Sequence, residues 1–442
     1  MLKQFLQFVN DNRLFDRSHN LLAAVSGGAD SSVMLHLLAQ GRFKVSVAHC
    51  NFKLRGSDAD ADEQFVRQLA EKYGMPFFSV SFDTTVYAAE HKISIEMAAR
   101  ELRYNWFAQL ATEHGFDRIL TAHHLDDNVE TMLLNICRGT GINGLAGISL
   151  INGCIVRPLL FASRQQIEDY AVANGLAFRT DATNLTDDYQ RNIVRHRIVP
   201  VMRQINPAFD ERMLKNFSNI KQASQIYNWY IDKAKSEVLQ TDGNRTIINI
   251  GMLMRQPFAE PVLYECVSEF GFNSSQAEQM MKIIGQKSGF TFSSATHKLL
   301  IDRNQIIIEP LENDDFQSLS ISQPQDVPSL GITMQLVPAA GFQIDRRPFV
   351  ACLDFDKLQF PLTLRRWQNG DSFCPLGMNR AKKLSDFFID SKIDLFEKEK
   401  TLVLVSAGKI AWIVGMRPDN RFKVDEKTKQ VLVIVSQPAR KP

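Results

Sequence analysis

Residues 26–31 read Ser-Gly-Gly-Ala-Asp-Ser and stand between the apolar run "LLAAVS" and a helix-like stretch, 31–40. Adjacent glycines between a strand and a helix let backbone N–H groups turn toward an anion, and the helix dipole adds to the attraction. Ser26, Ser31 and Ser32 supply further donors. A loop of the G-x-x-x-x-G-K-S/T kind would need a lysine, which is missing here, and G-x-G-x-x-G is absent as well. A second constellation is "TAHHLDDNVETMLLNICRGTGINGL", from residue 121. If a helix begins at Asp126, with that residue as its N-cap, then Asp127, Glu130 and Thr131 share one face of the first turn. Carboxylates there suit the helix dipole whatever else they do. They also suit a cation or a polar substrate, provided the helix opens onto the rim that carries the glycine loop. A transition-metal site from His123, His124 and Asp127 lacks a second His at helical spacing.

The surrounding elements supply such a rim. Between residues 21 and 160 the runs "LLAAVS", "FKVSVAHC", "PFFSVSF", "DRILTAHH" and "CIVRPLL" alternate with helical stretches at 31–40, 58–73, 94–114 and 127–137. Continuously apolar strands separated by helices predict a doubly wound parallel sheet of the α/β class, covered on both faces. Ligands bind beyond the carboxyl ends of such strands, so the loops after Ser26, Cys50 and His124 should share one edge. "RNIVRHRIVPVMRQINP" reads as a basic helix leading out of this domain, followed by a long amphipathic helix over about 208–240. Residues 241–310 mix helices and strands, "LENDDFQSLSISQPQDVPSL" reads as a linker or meandering edge, and from 331 come short strands, one helix and a final hairpin. The resulting division is a catalytic domain at 1–207, a helical/α+β middle module at 208–315 and a small α+β C-terminal domain at 331–442.

The six-residue loop resembles the pyrophosphate loop of the PP-loop ATP-pyrophosphatase superfamily, whose members cleave ATP between its α- and β-phosphates. "IEMAARELRYNWF", "AHHLDDNVET", "RGTGINGLAGI" and "NIVRHRIVP" narrow the likeness to the tRNA(Ile)-lysidine synthetase family. "RRWQNGDSFCPLGMNRAKKLSDFFIDSKID" resembles that family's last domain, while "KIDLFEKEK" departs from it where more Pro and Arg are expected. The resemblance implies adenylation of the C2 oxygen of the wobble cytidine in a CAU-anticodon tRNA(Ile), then displacement of AMP by the ε-amine of L-lysine. It implies that Ser26, Gly27, Gly28, Ala29, Asp30 and Ser31 cradle ATP, and that Asp30, Arg103, Asp127 and Arg195 are the catalytic set. An Asp inside a phosphate loop is reasonable once Mg2+ is included, so Asp30 and Asp127 are the expected metal ligands. Arginine suits developing phosphate charge better than lysine. Read without the family, Arg103 could be a solvated helix residue or pair with Glu96 or Glu101. The resemblance also allows a homodimer. The alternatives that share the loop are a PP-loop tRNA thiolase, which would draw on Cys50, and an amide-forming ATP pyrophosphatase, for which no N-terminal catalytic Cys is visible.

Charge and cysteine usage agree with this reading. Net charge is only +2, yet residues 361–430 hold 14 Lys or Arg against 9 Asp or Glu. A basic surplus confined to one module points to a polyanion. The expected tRNA contacts are Arg191, Arg197, Arg365, Arg366, Arg380, Lys382 and Lys383. Trp367 and Phe373 are expected in the core rather than under a base. Six cysteines without a C-x-x-C pair suit reduced structural thiols, Cys137, Cys154 and Cys374 among them. No apolar run approaches the ~20 residues that span a bilayer, so no membrane and a cytoplasmic location are expected.

Overall fold

The computed structural model describes residues 1–54, 56–179, 190–286, 288–311 and 316–436. The chain divides into two compact units, Met1–Asn228 and Trp229–Pro442. No helix among the described residues is long and apolar enough to cross a membrane.

The first unit runs α1 (Leu2–Asp11), β1 (Leu21–Ala24), α2 (Ala29–Gln40), β2 (Val45–Asn51), α3 (Ser57–Lys72), β3 (Phe77–Ser81), α4 (Thr84–His91), α5 (Ile95–His114), β4 (Arg118–Leu120), α6 (Leu125–Arg138), α7 (Ile142–Leu145), β5 (Ile151–Asn152), β6 (Ile155–Val156) and α8 (Arg164–Ala173). Its sheet has the order β3-β2-β1-β4-β6-β5, parallel except for the edge strand β5. Leu21, Leu22 and Ala23 are wholly buried, as the middle strand of a sheet covered on both faces requires. The α/β reading therefore stands, with α4 as an element the periodicity did not predict. The strand order reverses between β1 and β4, and beyond their carboxyl ends lies the crevice where such sheets take ligands.

"RNIVRHRIVPVMRQINP" is not one plain helix. An α-turn at Gln190–Ile193 passes into a π-helical turn at Val194–Ile198 and back into α-helix at Val199–Ile205. Phe209–Val238 is the single long helix that the pattern predicts.

In the second unit, an antiparallel sheet of Leu239–Asp242, Arg245–Asn249, Gln305–Pro310, His297–Asp302 and Phe290–Ser293, in that spatial order, carries three helices within 250–283. Three further antiparallel sheets follow, of five, three and two strands. The expected linker is in part an edge strand, Ser318–Ile321 paired with Leu362–Arg365, while its residues 312–315 lie outside the described residues. The hairpin Leu402–Ser406/Lys409–Ile413 forms but is not the last element, because Gln430–Ser436 becomes the middle strand of a three-stranded sheet. There are two helices here rather than one, Leu384–Asp390 and Leu395–Lys400. The second of these explains "KIDLFEKEK". Phe396 packs into an apolar cluster with Leu300 and Ile307 of the first sheet. Arg245 binds buried Glu309 at 2.6 Å and reaches Asp394 and Glu397 at 3.2 Å, and Lys400 meets Glu309 at 3.0 Å. This stretch departs from an RNA-binding composition because it serves as an internal joint.

Candidate active site

The glycine loop takes the form its composition predicts. Gly27 has φ +94°, a conformation that side chains with a Cβ rarely adopt. Gly28 is extended and caps α2, which begins at the next residue, so free N–H groups of that helix face the loop. Ser31 Oγ donates to Gly28 O at 3.1 Å and lies 3.2 Å from Ser26 Oγ, which closes the turn from within. Ser32 does not join them. Its buried hydroxyl borders a separate small cavity against Phe65 and Leu69.

Across the switch point the N-cap of α6 is His124, not Asp126. His124 Nδ1 accepts the Asp127 N–H at 3.4 Å while Asp127 Oδ2 accepts the His124 N–H at 3.1 Å. The cap places the ring proton on Nε2, which lies 3.7 Å from Asp30 Oδ2 and 3.5 Å from Asp127 Oδ2. One buried imidazole thus stands between the carboxylates of two different elements. Asp126 turns elsewhere, pairing with Arg203 at 2.6 Å and accepting the Arg164 N–H at 2.8 Å.

Ser26, Asp30, Ser31, Arg103, Asp127 and Arg191 converge on one cavity of about 460 Å³. Cys50 and Phe52 from the end of β2 and His123 from the end of β4 complete the predicted rim. Arg195 stands beside it, with Nε on Glu130 Oε1 at 2.6 Å and Nη2 3.7 Å from Asp127 Oδ1. Arg191, expected as an RNA contact, lines this cavity and binds Glu130 at 2.6 Å and Asp127 at 2.9 Å. The hub is Glu130, wholly buried and shared by two guanidinium groups. Its position three residues after Asp127 pointed to it, but the helix-dipole explanation concealed its role. The π-turn carries Arg195, an irregularity often found where a side chain is held for function.

Arg103 has neither Glu96 nor Glu101 as a partner; its guanidinium lies 5.2 Å over the Phe52 ring. Burial drives His123 down to about 4, against the pull of Asp127 and with the repulsion of Arg157, Arg191 and Arg103, so the ring is neutral at pH 7. Burial likewise pushes the Cys50 thiol up to about 12, which leaves no thiolate for sulfur transfer. Cys374 is buried as expected, whereas Cys137 is exposed on α6.

The two acidic positions differ. Burial pushes Asp30 above the usual carboxylate range, and His124 offsets this only in part. In Asp127 the same burial is outweighed by His124, Arg191 and His123, and the group ends below that range. Asp30 Oδ1 is buried with no hydrogen-bond partner. A buried carboxylate oxygen without a donor, beside a second carboxylate and an open cavity, fits a hard divalent cation that keeps several waters.

The expected RNA contacts of the second unit are unequal. Arg365 is held in a two-pronged bond to Asp371, both prongs at 2.8 Å, and Lys382 pairs with Asp390. Arg366 donates to Glu399 O, whereas Arg380, Lys383 and, in the first unit, Arg197 are exposed. Phe373 is fully buried and Trp367 packs edge-on to Phe388 at 5.2 Å, as expected of core aromatics.

Three families match along the chain: a PP-loop domain over residues 1–202, a TilS substrate binding domain over 240–311 and a TilS substrate C-terminal domain over 362–435. The tRNA(Ile)-lysidine synthase of Parabacteroides distasonis is 40% identical over 98% of this chain and 99% of its own. That of Bacteroides thetaiotaomicron is 41% identical over 98% of each chain, and that of Porphyromonas gingivalis 37% over 95% and 94%.

Proposed function

The chain belongs to the tRNA(Ile)-lysidine synthase family, and on that premise we propose that it joins L-lysine to the wobble cytidine of CAU-anticodon tRNA(Ile) with consumption of ATP. The observation that carries this reading is the convergence of the glycine loop, Asp30, Asp127, Arg103 and Arg191 on one cavity.

The cytosine C2 oxygen attacks the α-phosphorus, and the bond to the β-phosphate oxygen breaks with its electron pair leaving on pyrophosphate. The N–H groups at the start of α2, with Ser26 and Ser31, are arranged to hold those oxygens. The lysine ε-amine, deprotonated, then attacks C2, and the C2–O bond breaks to release AMP with that oxygen. Asp127, below the ordinary carboxylate range, stays ionised and is suited to bind the incoming ammonium. Glu130 holds Arg191 and Arg195 beside it, where their remaining N–H groups orient the departing phosphate oxygens. Asp30 and Asp127 would hold Mg2+, which supplies charge neutralisation on the polyphosphate. The basic residues of the second unit, Arg380 and Lys383 foremost, provide tRNA affinity.

The test is incorporation of radiolabelled lysine into a CAU-anticodon isoleucine tRNA transcript, with and without ATP, against a transcript carrying uridine at the wobble position. ATP-dependent label in the cytidine form alone is expected. Pyrophosphate release without lysine labelling would refute the nucleophile while leaving the adenylation.

A further inference from the structure

Arg157 follows β6 and is 5% exposed, yet among the described residues it has no carboxylate within ion-pair distance. Its Nη1 donates to Ser149 O, and its Nε is buried without a partner. Its other polar neighbour is the phenol of Tyr104, which pulls the guanidinium back toward its ordinary range. A buried cation without a counter-ion is expensive, and here burial pulls the guanidinium below its ordinary range. Such a group is retained where its counter-charge arrives with a ligand.

Tyr104 links it to the cavity, since its side chain is part of the cavity wall. Guanidinium nitrogens only donate, so in a bond between Arg157 and Tyr104 the phenol oxygen is the acceptor. That leaves the phenol's own proton for another acceptor, and none holds it among the described residues. Donation by a cation polarises the phenol and strengthens it as a donor in turn. The ring itself is fixed, with Arg100 stacked 5.0 Å from its centroid and Phe107 edge-on at 6.3 Å. Arg103, on the same helix as Arg100 and Tyr104, lies over Phe52 and adds a third positive charge beside Arg100 and Arg157, again without a carboxylate partner among the described residues.

We propose that Tyr104, held and polarised by Arg157, donates its hydroxyl proton to an anionic phosphate oxygen in the cavity, with Arg157 as the positioning residue. The oxygen belongs either to ATP or to the phosphodiester of the target nucleotide. The proposal rests on the ATP- and tRNA-using reading above.

The experiment compares Tyr104→Phe, Arg157→Met and the double variant with the unaltered full-length protein in lysidine formation. ATP and tRNA affinities and melting temperature are measured alongside. Tyr104→Phe removes only the hydroxyl and is expected to lower kcat/KM about tenfold or more at unchanged melting temperature. Weakened ATP binding then assigns the oxygen to the nucleotide, and weakened tRNA binding assigns it to the RNA. If Arg157 acts through Tyr104, the double variant is no worse than Tyr104→Phe alone; multiplying losses would overturn the positioning role. Should Arg157→Met fail to fold, Tyr104→Phe still decides, because kcat/KM within twofold of the unaltered protein removes the subsite. Absence of lysidine with the unaltered protein would instead refute the functional reading beneath it.

Discussion

Two sets of arginines flank the cavity and are held in opposite ways. Arg191 and Arg195 are neutralised by Glu130 and Asp127, whereas Arg100, Arg103 and Arg157 rest on aromatic rings or lie buried with no acid among the described residues. Compensated arginines contribute position, since their charge is already cancelled and their geometry is fixed by two-pronged bonds. Uncompensated arginines contribute field, since their charge is still available to a polyanion. The difference teaches that one cavity can separate the ordering of its groups from the attraction of its substrates.

The strongest way to break the comparison is to remove the acid that belongs to neither set. Asp30→Asn is expected to cut pyrophosphate release by about 1,000-fold, at the upper end for loss of one transition-state contact. Its melting temperature should hold or rise, because a carboxylate strained by burial has gone. A melting temperature that falls with activity would mean that Asp30 is structural. Next comes Glu130→Gln, which leaves Arg191 and Arg195 with Asp127 as their shared counter-charge and should cost about 3 kcal/mol of stability, read from denaturant midpoints. A smaller loss than that of Arg157→Met would invert the distinction between the sets.

Acid sharpens it further. His123, held at about 4 among Asp127, Arg157, Arg191 and Arg103, takes up its proton in the unfolded chain near pH 6.5 but not in the folded one. Stability from this residue is therefore present above pH 6.5 and declines as pH falls toward 4. Between pH 6.5 and 4.5 the decline is about 2 kcal/mol. His123→Asn should flatten that part of the pH–stability curve. Arg103→Lys keeps charge but loses the flat guanidinium over Phe52, and is expected to lower lysidine formation about tenfold with little change in stability. The smallest effects belong to the second unit. Lys383→Gln should weaken tRNA binding less than threefold in a salt titration, in keeping with one screened phosphate contact. Arg365→Gln should instead lower the melting temperature, because Asp371 loses its partner.

Much of this was legible from residue types. The parallel sheet follows from apolar strands alternating with helices, and the shared rim follows from the loops at their carboxyl ends. What stayed hidden was side-chain pairing across long separations. Glu130 and Arg195 are 65 positions apart, and no local periodicity joins them. His124 looked like a possible ligand and proved to be a cap, because an imidazole nitrogen can do what Asp or Ser usually does at that position. Arg157 gave no local sign at all. An arginine in "CIVRPLL" reads as a strand end, and only the fold places it behind Tyr104.

The joint around Glu309 bears on how this chain can be cut. The matched substrate-binding stretch, 240–311, looks like a separable piece. Severed there, it would expose the face of Leu300 and Ile307 that Phe396 covers and would leave Glu309 without Lys400. Such a fragment would bring an adhesive surface and an unneutralised acid into solution, so its failure to behave would say nothing about tRNA. The smallest piece worth expressing begins near Trp229 and includes every strand after it.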